Sequence, residues 1–198
     1  MLLALDLAKR MGWAAADRGR VPLFGEVDLL PKSIPFGGNE GLAYTRLRAF
    51  MLDKIAVLKP REIWIEEPVP AFFQKRAGGG FAGNWHTFRV LNGLAAVADQ
   101  VATEHSIPVH EQQPKTIRYQ VLDDAGAGKN GVLWWCHDNG WKVPGDNAAD
   151  ALALLQYGAD CDGDDGWKLT PGPDAQKAQD DVFARDKAAA RGEGRPPL

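Results

Sequence analysis

The first six residues, Met1-Leu2-Leu3-Ala4-Leu5-Asp6, form an apolar run that ends in a single carboxylate. An apolar run of this length before a turn predicts a buried β-strand. Asp6 then lies where the strand leaves the sheet, which is where open α/β folds bind their ligands. A simpler interpretation is that Asp6 only begins a turn by hydrogen-bonding to its own backbone. The rest of the chain has to decide between the two.

The remaining pattern predicts alternating strands and helices. Apolar and β-branched runs bounded by turn residues predict further strands at residues 13–16, 23–30, 62–67 and 107–110. Helical spacing of apolar residues predicts helices at residues 39–58, 85–104, 115–122, 132–138 and 146–155. The last helix is apolar on nearly all sides, so we expect it to be deeply buried. Most of the seven tryptophans are core candidates, and we expect the adjacent Trp134 and Trp135 to pack.

Length and composition indicate one globular domain. The chain has 198 residues, of which 45% are hydrophobic and 25% charged, as in ordinary soluble proteins. No apolar run approaches the roughly 18 residues of a membrane span, and the two cysteines are too few for a disulfide framework. We therefore expect a cytoplasmic protein with no membrane partner. Residues 1–160 form the predicted domain, followed by an acidic linker and a charged tail, expected to be mobile, over residues 161–198.

The net charge of −3 argues mildly against a nucleic-acid partner, but its distribution matters more. Residues 1–159 contain 17 acidic and 17 basic residues, so the body of the protein is neutral. Four aspartates in residues 160–168 account for the excess. A neutral body with carboxylates gathered around metal can still present a basic face to DNA.

Three acidic residues occupy positions where a folded protein rarely leaves a charge unpaired. Asp6 ends one buried strand, Glu66 ends a second, and Asp150 lies inside the apolar last helix. Burying such a charge costs several kcal/mol unless a partner or a metal ion compensates it. No Lys or Arg lies within one helical turn of Asp150, so a local ion pair does not compensate this one.

Asp146 precedes Asp150 by four residues and lies on the same helix face. Two like charges at this spacing repel each other unless a cation lies between them. Asp146 has an alternative role as the helix N-cap, which is common for Asp at a helix start. Oxygen ligands from three or four carboxylates suit Mg²⁺ or Mn²⁺, and two such ions can drive phosphodiester cleavage.

Four segments of the chain resemble RuvC-type Holliday junction resolvases, a branch of the RNase H-like superfamily, and in particular their phage-type members. The segments appear in the family's order, with similar spacing, over about residues 2–158. They are Leu5-Asp6-Leu7-Ala8 with Gly12-Trp13, Ile65-Glu66-Glu67-Pro68, Gly126-Ala127-Gly128-Lys129, and Asp146-Asn147-Ala148-Ala149-Asp150-Ala151-Leu152-Ala153. The last segment is the most distinctive, since the family places a metal ligand, then an Asp, then Ala-Leu-Ala on its final helix.

The resemblance implies an α/β RNase H-like fold, with a mixed central sheet, antiparallel first three strands and helices on both faces. It implies a homodimeric, Mg²⁺-dependent endonuclease that nicks branched DNA, above all four-way junctions, and leaves 5′-phosphate and 3′-hydroxyl ends. Mn²⁺ is expected to substitute for the two Mg²⁺ ions.

Among the site residues, Asp6, Glu66 and Asp150 match the family's catalytic acids. The fourth ligand does not transfer cleanly, because Asn147 stands three residues before Asp150 where relatives have Asp or His. We favour Asp146 over Asn147, since a carboxylate binds Mg²⁺ better than an amide oxygen. Glu67 is an alternative to Glu66, but strand alternation turns the two side chains to opposite faces, so only one of them can reach the site.

The resemblance also implies DNA contacts. Three basic residues of the chain resemble the family's phosphate contacts, although each could be a plain solvated cation. They are Lys115, Arg118 and Lys129. In the loop after Glu66, Phe72, Phe73 or Phe81 would stack on bases, and Lys75 and Arg76 would contact phosphates. The simpler interpretation is that these phenylalanines pack in the core or in a dimer interface.

Three other functions agree with parts of the sequence. Another RNase H-like nuclease would act on flaps or RNA–DNA hybrids. A branched-DNA-binding protein with a decayed site would explain Asn147 in place of an acid. A sugar-kinase-like ATPase also begins with a strand that ends in Asp, but that fold needs two such domains and this chain has room for one.

Overall fold

The computed structural model describes residues 1–31, 33–34, 38–68, 85–163 and 166–170. This part of the chain forms five strands and five helices. In order they are β1 (Leu2–Asp6), β2 (Arg10–Ala16), β3 (Leu23–Asp28), α1 (Glu40–Leu58), β4 (Glu62–Glu66), α2 (Trp85–Glu104), β5 (Val109–Gln112), α3 (Pro114–Leu122), α4 (Lys129–Asp138) and α5 (Asp146–Asp160).

The strands form one mixed sheet in the order β3-β2-β1-β4-β5. β1, β2 and β3 are antiparallel neighbours, whereas β4 and β5 run parallel to β1. The first strand of the chain is therefore the centre of the sheet, and all five of its residues are buried. The predicted α/β class and the antiparallel three-strand start are confirmed.

Strand alternation sends the β1 side chains into two separate cores. Leu3 and Leu5 pack on one face with residues of α1 and α2. Leu2 and Ala4 pack on the other face with residues of α4 and α5. Asp6 continues the even-numbered series and so points to the α5 face.

The last helix is as buried as its composition predicts. Eleven of its residues are buried, among them the whole run from Ala151 to Ala159. The helix extends five residues beyond the predicted end, because buried Gln156 binds the segment that follows. Gln156 donates to the Trp167 carbonyl at 3.1 Å and accepts from the Leu169 amide at 2.9 Å. Core packing therefore reaches Leu169, past the domain boundary predicted at residue 160.

Several details differ from the sequence predictions. β2 begins at Arg10 instead of residue 13, and β3 ends at Asp28 instead of residue 30. β5 begins two residues later than predicted, because the Ile107 amide still bonds to Ala102 at the end of α2. α4 begins three residues earlier, since extended Gly128 forms its N-cap. Trp134 does not enter the core: it is 65% exposed and meets the His137 ring edge-on at 5.9 Å, whereas Trp135 packs edge-on against Trp141 at 5.1 Å.

No helix in the described ranges is long and apolar enough to cross a membrane.

Candidate active site

Two of the predicted acids end adjacent parallel strands. Leu5 of β1 pairs with Ile65 of β4, so the following residues, Asp6 and Glu66, are neighbours at the carboxyl edge of the sheet. Both side chains belong to the face covered by α5. A side-chain hydrogen bond joins Asp6 and Glu66. The two side chains are thus in direct contact.

The third and fourth acids come from the first two turns of α5. In addition to burial, the charge of Asp150 raises the pKa of both Asp6 and Glu66, and the charge of Asp146 raises the pKa of Asp6. Asp146 is not the N-cap of the helix: that position belongs to Gly145, and Asp146 is the first helical residue. The capping role considered for Asp146 is therefore wrong.

A glycine in β2 permits this approach of helix and strand. Gly12 pairs with Asp6 in the sheet, and its missing side chain faces the first turn of α5. A Cβ atom at position 12 would lie 1.9 Å from the Asn147 carbonyl oxygen. Only glycine lets the α5 backbone come this close to the strand, and the acids of α5 reach Asp6 for that reason.

The carboxylates are buried against one another. Asp6 is 8% exposed, and burial, then repulsion from Glu66 and Asp150, raises its pKa well above the usual value. Burial and repulsion from Asp150 raise the pKa of Glu66 to about 7. Burial also raises the pKa of Asp150, although Arg118 and Lys129 oppose this.

Two basic residues contact the acids of α5. Arg118 of α3 places Nη2 3.7 Å from Oδ1 of Asp150. Lys129, the first residue of α4, pairs with Asp146, and this hydrogen bond lowers the pKa of Asp146. Among the phosphate contacts predicted on α3 and α4, Arg118 and Lys129 therefore contact carboxylates, and Lys115 is exposed to solvent.

The donor chemistry of this cluster fits a hard divalent cation. All four side chains offer carboxylate oxygens, the ligands that Mg²⁺ and Mn²⁺ prefer, and their mutual repulsion is what a cation would relieve. In the ranges that the structure describes, however, no three His, Cys, Asp or Glu side chains are grouped closely enough to hold a metal ion as they stand. The type and the charge of these ligands suit such an ion, while Arg118 and Lys129 contact two of the four acids.

Comparison with known proteins bears on the fold. No family model and no curated protein matches the sequence. Among solved structures, Thermus thermophilus RuvC matches with a TM-score of 0.53 and 18% identity, over 77% of this chain and 89% of RuvC. The structure of T. thermophilus RuvC in complex with a Holliday junction substrate matches with a TM-score of 0.55 and 17% identity, over 77% and 88%.

The chain has the RuvC fold. This confirms the RNase H-like architecture expected from the four sequence segments. The phage-type assignment stays a prediction.

Within this RuvC fold, one carboxylate near the site was missed by sequence reasoning. Glu26 of β3 has a side chain that is 10% exposed, and its Oε1 accepts a bond of 3.4 Å from the Ala148 amide in the first turn of α5. Arg10 lies 3.7 Å from its other oxygen. Glu26 thereby caps the helix that supplies Asp146 and Asp150. Strand alternation with buried Phe24 was the available signal, since it puts Glu26 on the α5 face.

Several predicted DNA contacts lie outside the residues that the structure describes. They are Phe72, Phe73, Lys75 and Arg76, together with the alternative Phe81. These roles stay predictions. All five residues belong to the segment 69–84, which follows the end of β4 at Glu66 after two residues.

Proposed function

We propose that this protein is a metal-dependent, structure-selective endonuclease that nicks branched DNA, with the four-way Holliday junction as its main substrate. One observation carries the proposal: Asp6, Glu66 and Asp150, from adjacent strands and the helix packed on them, form an acidic cluster in a RuvC fold, with Asp6 buried and the other two partly buried. T. thermophilus RuvC, which shares the fold, has been solved with a Holliday junction substrate.

In this proposal Asp6, Glu66 and Asp150 hold two Mg²⁺ ions, with Asp146 as the fourth ligand and Asn147 as its rival. Mn²⁺ would substitute. When bound, the ions supply an activated water and stabilise the leaving oxygen. A cation on Asp6 would replace its hydrogen bond to Glu66, and a cation on Asp146 would replace Lys129.

Lys115 and Lys129 would bind the DNA backbone. Lys115 is exposed on α3, and Lys129, with 68% of its side chain exposed, stands at the rim of the site. Phosphate contacts of this kind position a duplex without reading its sequence. Phe72 or Phe73 would stack on bases at the branch point, with Lys75 and Arg76 on the flanking phosphates. Two copies of the chain would nick two strands symmetrically.

A cleavage assay with matched substrates tests this proposal. Four-way junction, flap, RNA–DNA hybrid and linear duplex are incubated with Mg²⁺ and either the wild type or the Asp6→Asn variant. We expect nicks in the junction by the wild type alone, with 5′-phosphate ends, and unchanged junction binding by the variant. Preference for the flap or hybrid would assign a different RNase H-like activity.

One observation keeps a second function open: a branched-DNA-binding protein without catalysis. Arg118 and Lys129 contact two of the four acids, as they would in a site that no longer loads metal. Junction binding that persists while neither Mg²⁺ nor Mn²⁺ supports any nicking would favour this function over the enzyme.

A further inference from the structure

Arg118 holds a different position from the other basic residues near the acidic cluster. It lies on α3, whose Ile117 is 4% exposed and packs into the same core as α5. The Arg118 side chain is 24% exposed, whereas that of Lys129 is 68% exposed. Packing therefore holds the Arg118 guanidinium close to the acids, while Lys129 reaches in from solvent.

The partner of Arg118 is a largely enclosed acid in the second turn of α5. Asp150 has a side chain that is 15% exposed, and the guanidinium Nη2 lies 3.7 Å from its Oδ1. This separation is longer than the roughly 2.7–2.9 Å of a strong charge-assisted hydrogen bond. The contact therefore compensates charge without locking the carboxylate in one geometry. Since a guanidinium cannot lose its proton in a protein, this positive charge stays beside Asp150 under all working conditions.

We propose that Arg118 is a positioning residue that competes with metal for Asp150 and so sets the metal concentration at which the site fills. The inference rests on the proposed metal site. A divalent ion on Asp150 meets a fixed positive charge a few ångströms away, and like charges at that range repel in a partly buried site. The guanidinium must move off Asp150 when the ion binds. In the metal-free protein it compensates a charge that the apolar helix cannot.

Binding of Mn²⁺ without DNA tests this, with free Mn²⁺ followed by electron paramagnetic resonance. Arg118→Gln removes the charge, and Arg118→Met removes it while keeping the apolar stem. Both variants should bind Mn²⁺ about tenfold more tightly than the wild type. Arg118→Lys keeps the charge and should stay near the wild type. Lys115→Gln is the matched control, because it removes one charge from the exposed side of the same helix, and its Mn²⁺ affinity should be unchanged.

Two outcomes overturn the inference. Equal Mn²⁺ affinity in the wild type and both neutral variants shows that Arg118 does not compete, provided that Asp6→Asn weakens binding. Tighter binding in Lys115→Gln of the same size as in Arg118→Gln shows only a general charge effect. Failure of the wild type and every variant to bind Mn²⁺ instead removes the proposed metal site itself, and with it this role of Arg118.

Discussion

Gly12 lies directly opposite Asp6 in the β1–β2 ladder, with the first turn of α5 in the space where a side chain would stand. The site therefore depends on an absent side chain as much as on the acids. Gly12→Ala should destabilise the protein by about 1–3 kcal/mol, the range for overpacking, and should lower Mn²⁺ affinity by moving Asp146 and Asp150 away from Asp6. Urea unfolding and Mn²⁺ titration measure the two effects.

Gly41→Ala is the matched control for that change. Gly41 lies in α1, and nothing surrounds the position that its Cβ would take. Alanine there should be neutral or stabilise the helix by up to about 1 kcal/mol. Equal behaviour of the two variants would contradict a steric role for Gly12.

Glu66 should make the metal-free protein less stable as pH rises. Its pKa is raised to about 7 by burial and by Asp150, so the folded protein holds this proton more tightly than the unfolded chain. The stability that Glu66 contributes is fully present below the pKa that this residue has in the unfolded chain, near 4.5. It declines as the pH rises to about 7. The decline should reach at most about 3 kcal/mol. Urea unfolding with EDTA between pH 4 and 8 measures it.

The Glu66→Gln variant isolates that contribution. Glutamine cannot ionise, so the variant should lose part of the decline and be more stable than the wild type at pH 7.5. Saturating Mg²⁺ should flatten the wild-type curve in the same range, because a bound cation replaces the proton. Parallel curves for the wild type and the variant would show that Glu66 is not the titrating group.

The identity of the fourth ligand can be resolved by paired variants. Asp146→Asn removes a carboxylate that now pairs with Lys129, and Asn147→Ala removes the neighbouring amide. We expect Asp146→Asn to raise the Mg²⁺ concentration needed for half-maximal nicking by roughly 10- to 100-fold, as removal of groups around a metal commonly does. Asn147→Ala should have little effect. The reverse pattern would assign the ligand to Asn147.

Glu26 should act through α5 and not through the metal. Glu26→Gln weakens the acceptor at the helix N-terminus and should cost about 1 kcal/mol of stability, with a smaller loss of Mn²⁺ affinity than Asp6→Asn. Asp28→Asn is the matched control, because Asp28 binds the same Arg10 at 2.8 Å but is 44% exposed. Exposed pairs contribute about 0–1 kcal/mol, so this variant should unfold almost like the wild type.

Local patterns predicted the strand ends well. β1 ended at Asp6 as expected and β4 ended at Glu66, one residue before its predicted end, because burial and strand alternation depend on neighbouring residues alone. The composition of α5 likewise predicted its burial. β5 was misplaced, since the α2 end competes for the Ile107 amide, and the exposure of Trp134 depends on which face of α4 meets the core.

By itself, the sequence determined which carboxylates stand among apolar residues, because the local pattern around Asp6, Glu66 and Asp150 shows it; Asp6 is buried and the other two are partly buried. Tertiary structure decided what compensates them. Arg118 meets Asp150 from another helix, Lys129 meets Asp146, and Glu26 caps α5 across 122 residues of chain. Charge pairing depends on distance in space, and only the packing of α3, α4 and β3 around α5 sets those distances.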